Sequence, residues 1–263
     1  MSFPQLLLEG RTVLVAGAGP GLGRALALRS ALAGADVVLA ARSADRLNAL
    51  AEEVTDLGRR ALVVPTDLAD DASIARLADT AVREMGRLDA VVYNANMQPP
   101  HESLVDGDMD AARSTADVNV WGALNLTRRL TPALRETKGS VVMVNSMVLY
   151  NRRPRFGAYR MMKAALLACA RGLSVDLGPM GIRVNTVAPG YIWADKVQAH
   201  FERLAASRGM TPEEVYAEVA AETDLRRLPE PEAIADAVVF LFSDMARAIT
   251  GQSINVDCGQ THH

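Results

Sequence analysis

Cysteine is scarce in this 263-residue chain: Cys169 and Cys258 stand far apart, with no second pair beside them. That scarcity excludes a disulfide framework and a cysteine-rich zinc site, and makes free thiols in a reducing compartment the expectation. Long apolar runs are missing as well. No stretch approaches the ~20 apolar residues of a membrane span. Leu6-Leu7-Leu8 has neither the basic flank nor the length of a secretory signal. Excess charge of one sign is also absent. Lys and Arg number 28 against 31 Asp and Glu, and the isoelectric point is near 5.9, so nothing in bulk favours nucleic acid or an anionic membrane as partner. No low-complexity linker or internal repeat occurs, and Thr261-His262-His263 is too short for a metal tract. The expectation is a soluble cytoplasmic protein with no metal site.

What is present suits a substantial core: 49% of residues are hydrophobic. Short β-rich runs alternate with longer helical patterns along the whole length. Strands are expected at Thr12–Ala16, Asp36–Ala41, Ala61–Pro65, Asp89–Asn94, Ser140–Asn145, Ile182–Val187 and Ser253–Asp257. Helices are expected at Gly21–Ala33, Ser43–Leu57, Asp70–Met85, Met109–Glu136, from Tyr159 to Leu177, and at Glu230–Ser243. Gly34, Gly58 and Gly86 stop the first three. Runs such as Val141-Val142-Met143-Val144 barely alternate, which suits parallel strands covered on both faces. The alternation therefore predicts one doubly wound α/β domain over 1–263, with its ligand site at the C-terminal ends of the strands.

Two features fall at those ends. Gly17-Ala18-Gly19-Pro20-Gly21-Leu22-Gly23 joins the first strand to the first helix. Glycines admit a pyrophosphate close to the backbone, and a helix N-terminus offers free N–H groups and a positive dipole end. The second strand ends in Ala40-Ala41-Arg42-Ser43, with no carboxylate to bind a ribose 2′-hydroxyl. Arg42 is a planar cation suited to a phosphate, and Ser43 adds a hydroxyl. This favours NADP(H), with NAD(H) possible. Arg42 stacking on adenine, or both residues merely starting the next helix, is the structural alternative.

Tyr159 and Lys163 share one face of a helix, and Ser146 lies 13 residues before the tyrosine at a strand end. An ammonium beside a phenol lowers its pKa from about 10. A serine hydroxyl in the same volume completes a proton-transfer site for a carbonyl or an alcohol. Such a pair alone is weak, because a surface tyrosine packed on a lysine stem reads the same way.

Together these residues resemble the classical short-chain dehydrogenase/reductase family, over essentially the whole chain. Gly17, Gly21 and Gly23 match its glycine motif, with Leu22 between them. Asp67-Leu68 look like its adenine contact, and Tyr93-Asn94-Ala95-Asn96 stands where the family has Asn-Asn-Ala-Gly. Asn119, Ser146, Tyr159 and Lys163 match its four catalytic positions. Pro189-Gly190-Tyr191-Ile192 matches its nicotinamide loop, and Val256-Asp257-Cys258-Gly259 its C-terminal Val-Asp-Gly-Gly. The resemblance implies a single-domain Rossmann fold with a parallel seven-stranded sheet and helices on both faces. It implies a hydride-transferring oxidoreductase in which Tyr159 is the general acid–base and Lys163 lowers its pKa and holds the ribose. Ser146 would then bind the substrate oxygen, and Asn119 would hold a water linking Lys163 to solvent, unless it only satisfies backbone in a helix bend. A homotetramer or homodimer through the Asn119 and Tyr159 helices is implied too. Ala16, Gly19-Pro20, Asn96 and Ala194 depart from the family pattern around the cofactor.

Alternatives are a 3-oxoacyl-carrier-protein reductase, an NAD-dependent alcohol dehydrogenase, and a non-enzymatic cofactor sensor, which usually lacks the tyrosine or lysine. The family's enoyl-reductase variant spaces its lysine further from the tyrosine. Substrate-facing segments are expected at Met97–Asp106, after Ser146, and in a helical lid over about 191–223. Trp193 is expected as a pocket wall or as lid core, and His101 as a polar lid residue or substrate contact. Arg152, Arg153 and Arg155 read as a solvated loop face, or as a contact for an anionic substrate group.

Overall fold

The computed structural model describes residues 6–262. Residues 1–5 and 263, which fall within the expected domain and tail, lie outside the described residues. Apolar runs bounded by turn residues form the strands: β1 (Thr12–Ala16), β2 (Asp36–Ala41), β3 (Ala61–Pro65), β4 (Ala90–Tyr93), β5 (Ser140–Val144), β6 (Arg183–Pro189) and β7 (Ser253–Val256). They build one seven-stranded sheet in the order β3-β2-β1-β4-β5-β6-β7. Every pairing is parallel, so each connection crosses a face of the sheet and covers it.

The covering helices are α1 (Leu22–Leu32), α2 (Ala44–Asp56), α3 (Asp71–Met85), α4 (Met109–Ser114), α5 (Gly122–Thr137), α6 (Gly157–Leu177), α7 (Asp195–Arg208), α8 (Pro212–Ala220) and α9 (Pro231–Phe242). Side chains of a strand alternate between faces. Val13 and Val15 therefore join a core with Ala27 of α1, Leu47 of α2 and Val238 of α9. Leu14 and Ala16 join a second core with Leu77 of α3, Leu126 of α5 and Leu166 of α6. Both faces of β1 are buried, which is why its sequence shows no polar alternation. Helix ends follow local chemistry. The Asp70 carboxylate accepts the N–H groups of Ala72 and Ser73 to start α3, and Gly86, at φ 74°, ends it.

The helix expected over Met109–Glu136 is interrupted. It divides into α4, a π-turn at Asp117–Trp121, and α5. A π-turn widens the helix and frees carbonyls. Here the buried Tyr93 hydroxyl donates to the Val118 carbonyl. A Cβ on Gly122 would lie 2.3 Å from the Leu68 carbonyl oxygen and 2.5 Å from the Tyr93 hydroxyl. The helix meets two strand ends at this point and accommodates them by widening.

After β6 the chain forms α7 and α8, which hold a separate small core. Phe201 is 1% exposed there, packed with Ala205, Val215 and Leu228 beneath Trp193 and Tyr216. A Thr211/Glu214 capping box starts α8. Because this core is separate from the sheet, Phe201→Ala should cost about 3 kcal/mol locally. Hydrogen exchange should then show lost protection in α7 and α8 while β1, β4 and β5 stay protected.

Candidate active site

Strand order reverses between β1 and β4, so the connections leaving them diverge and open a crevice. At this point the backbones almost touch. Gly17 has φ 97°, and a Cβ on it would lie 2.6 Å from the Ala95 nitrogen; one on Gly23 would lie 2.3 Å from the Gly17 oxygen. Only glycine fits either position. The Asn94 carboxamide donates to the Gly17 carbonyl at 2.8 Å. The N–H groups of Asn94 and Ala95 donate to the Ala16 carbonyl at 2.8 and 3.1 Å. The turn is thus tied to β4 although Ala16 supplies no hydroxyl.

Gly21 adopts φ 77° and ψ −123° as the N-cap of α1, and among the described residues no side chain caps that helix. Uncapped N–H groups above a glycine cradle fit a pyrophosphate. The cleft that starts here encloses about 820 Å³. It brings together Gly17, Gly21, Leu22, Gly23, Arg42, Asp67, Leu68, Asn94, Ala95, Ser146, Tyr159, Lys163, Pro189, Gly190 and Ile192.

Two expected residues stand apart from its lining. Ser43 is the N-cap of α2. Asn119 is 1% exposed in the π-turn; its carboxamide accepts the Met97 N–H at 3.0 Å and donates to the Met97 carbonyl at 2.6 Å. Its neighbour Val118 lines the cleft instead. The Asn119 side chain is a staple between the π-turn and the loop after β4, not a group presented to the cleft. Trp193 is also lid core rather than pocket wall, its ring 4.6 Å from Tyr216 and 5.6 Å from Phe201. Tyr191 and Val197 take the wall position. His101 stacks on Phe156 at 4.2 Å, and Phe156 faces the cleft.

Arg46 lines the cleft although it was not singled out by sequence. Arg46 sits in the first turn of α2 and Arg42 just before its Ser43 N-cap, and both are exposed with no carboxylate partner among the described residues. The place of Arg46 four residues after Arg42, just inside α2, was the available signal. Arg153 is the loop arginine that faces the cleft.

The candidate proton-handling groups come from the end of β5 and from α6. Ser146 follows β5 in extended conformation and caps the next turn through Val148 N–H at 3.2 Å. Lys163 on α6 is 2% exposed, and its Nζ donates to the Val144 carbonyl at 3.0 Å. The ammonium lies 5.7 Å from the Tyr159 ring centroid. Burial shifts the two groups in opposite directions, because it disfavours the charged form of each. Tyr159 is pushed up to about 12 by desolvation, against a lowering from its hydrogen bond with Ser146. Lys163 is brought down to about 7 by desolvation. The expected lowering of the tyrosine by the lysine is therefore outweighed in the protein alone. A lysine that is itself only partly charged near neutrality has less charge to lend.

The sequence matches a family model described as Enoyl-(Acyl carrier protein) reductase over residues 17–261. Among curated proteins it is similar to the 7alpha-hydroxysteroid dehydrogenase of Escherichia coli (strain K12), 32% identical over 255 residues, covering 97% of this chain and 95% of that protein. Among solved structures it resembles carveol dehydrogenase from Mycobacterium avium in complex with NAD. The TM-score is 0.90 and the identity 26%, covering 97% of this chain and 98% of that one. It also resembles L-sorbose reductase from Gluconobacter frateurii complexed with NADPH and L-sorbose, at TM-score 0.91 and 26% identity, with 98% of each chain covered. The chain belongs to the short-chain dehydrogenase/reductase family. It is an NAD(P)-dependent oxidoreductase acting on CH–OH and C=O groups.

The Lys163 shift has a consequence for stability. The unfolded chain keeps this lysine protonated to about 10.5, whereas the folded cofactor-free protein releases the proton near 7. Between those values the unfolded state binds more protons, so stability rises with pH. Urea midpoints should increase from pH 7 to pH 9, and Lys163→Met should remove that part of the slope.

Proposed function

We propose that the protein is an NADP(H)-preferring oxidoreductase that interconverts a carbonyl and a secondary alcohol, with Tyr159 as general acid–base. The observation that carries this reading is the convergence of Ser146, Tyr159 and Lys163 on the cleft that begins at the glycine cradle. A nicotinamide cofactor held by the glycine cradle would supply or accept the hydride. Tyr159, protonated at neutral pH in the protein alone, gives its Oη proton to the carbonyl oxygen as that oxygen gains negative charge. Ser146 donates a hydrogen bond to the same oxygen. Lys163 has two donors beyond the one spent on Val144, and these suit the ribose hydroxyls. Its charge, once restored, favours the tyrosinate needed for alcohol oxidation. Asn119 acts as a positioning residue that holds Met97 and the loop after β4 in place.

The enoyl-reductase description of the matched family model does not redirect this reading. The Tyr159–Lys163 spacing of four keeps both residues on one face of α6. The names of similar proteins also support alcohol and carbonyl chemistry.

Preference for NADP(H) rests on Arg42 and Arg46, two exposed guanidinium groups lining the cleft beyond β2, whose last residues Ala40-Ala41 carry no carboxylate. The segment of α7 and α8 serves as a lid whose closure excludes water. The outward residues Trp121, Met161 and Val175, near α5 and on α6, suit a homotetramer or homodimer in a cytoplasmic enzyme. Among the described residues no helix is long and apolar enough to cross a membrane.

Tyr159→Phe should lower kcat by about 100- to 10,000-fold while NADPH fluorescence titration shows binding retained. Substantial carbonyl reduction by this variant would refute the acid–base role. Arg42→Ala and Arg46→Ala should each lower kcat/KM for NADPH by about 10- to 100-fold, with little change for NADH. Equal or better kcat/KM with NADH in the parent protein would sink the NADP(H) preference.

A further inference from the structure

The cleft wall formed by the β5–α6 connection and the segment after β6 carries a cation fixed in place. The Arg153 guanidinium lies 4.7 Å from the centroid of the Tyr191 ring, and its Nη1 donates to the Tyr191 hydroxyl. Stacking on an aromatic face and a hydrogen bond to its hydroxyl hold a planar fork in one orientation, so little freedom remains to be lost on binding. The side chain is 32% exposed, and the nearest carboxylate, Glu222, stands 3.9 Å away and is 59% exposed. A long, hydrated ion pair of this kind is weak and leaves the fork available.

The field here is positive beyond one residue. Lys196 lines the same cleft. The His200 imidazolium is disfavoured first by burial and then by the charges of Arg203, Arg153 and His101. Asp195 is the carboxylate among the lining residues of this segment, set against Arg153 and Lys196. Apart from Asn151, the side chains lining the cleft around Arg153 and Ser146 include the apolar Met147, Val148, Phe156 and Val197.

We infer that Arg153 determines specificity by binding a carboxylate carried on an otherwise apolar carbonyl or alcohol substrate. This rests on the hydride-transfer reading of the site and narrows it to a class of substrate. An uncharged substrate would leave a half-buried, pre-oriented guanidinium facing the cleft with only the long ion pair to Glu222, whereas a carboxylate can accept two parallel N–H bonds from such a fork.

Matched pairs test this: 4-oxocyclohexanecarboxylate and 4-oxopentanoate, each against its methyl ester, with the full chain and NADPH. The ratio of kcat/KM for acid over ester cancels any general loss of activity. The expected result is a ratio well above one for the parent protein that falls by about 10-fold or more in Arg153→Met, mainly through KM for the acid. In Glu222→Gln, where the competing carboxylate is gone, the ratio should rise. A parent ratio at or below one, or a ratio unchanged in Arg153→Met, overturns the inference. Binding of the same acids and esters to the NADPH-loaded protein, followed by saturation-transfer NMR, needs no turnover. Acid-selective binding that disappears in Arg153→Met, without turnover of any carbonyl, would keep the anion site and sink the hydride-transfer reading. Absence of acid-selective binding would sink the anion site whatever the enzyme turns over.

Discussion

The contact between the turn after β1 and the end of β4 governs what surrounds it. Gly17 and Ala95 approach so closely that a single methylene carbon at Gly17 would sit 2.6 Å from a backbone nitrogen. That approach is possible only where strand order reverses and two connections leave in opposite directions. It seats α1 with its uncapped N-terminus above the crevice, and Asn94 locks the arrangement through the Gly17 carbonyl. β1 carries the restraint outward, paired in register with β2 on one side and β4 on the other. The basic tip of β2 and the hydroxyl groups beyond β5 consequently open on one cleft.

Burial then sets the proton chemistry. The sheet and α6 enclose Lys163 so fully that its ammonium loses most of its solvation, and the Val144 carbonyl is a neutral partner that restores only part of it. Tyr159, above it, is kept in its neutral form by the same loss of water. Two groups of opposite charge type are therefore both biased toward neutrality. Charge arriving in the cleft, rather than charge already stored there, decides when either ionises. A site of this kind is poised as a proton donor and becomes a base only when an added positive charge favours the phenolate.

The cleft mouth follows a different logic from its floor. The floor is made by strand ends and one long helix, all anchored in the two main cores. The mouth is made by the β5–α6 connection and by α7 and α8, whose small aromatic core is their own. Tyr191 links the two regions, since it packs on Phe201 of that core and also carries the Arg153 guanidinium. Arg153 and Tyr191 thus sit on the part of the molecule with the smallest hydrophobic anchor, where movement costs least.

Much of this was legible before folding. The sheet was readable because both faces of its central strands β1, β4 and β5 are buried, and burial on both faces leaves unbroken runs such as Val141–Val144. The glycine turn was readable because steric exclusion at Gly17 and Gly23 allows no other residue. Ser146, Tyr159 and Lys163 were readable because helix periodicity and strand ends fix their relative placement. Other features depended on contacts distant in sequence. The π-turn at Asp117–Trp121 arises where Tyr93 and Leu68 crowd Gly122, and no local pattern announces it. Trp193 turned inward because Phe201 and Tyr216 offer it an apolar site, and Asn119 turned to Met97 because a buried carboxamide needs partners. The lowered Lys163 and raised Tyr159 reverse a simple pairing argument, because desolvation is a property of the whole enclosure. Residue types and local spacing determined the fold class and the placing of Ser146, Tyr159 and Lys163 on one cleft. Packing between remote segments decided which cations face the cleft and how strongly each proton is held, since burial and orientation exist only once those segments have met.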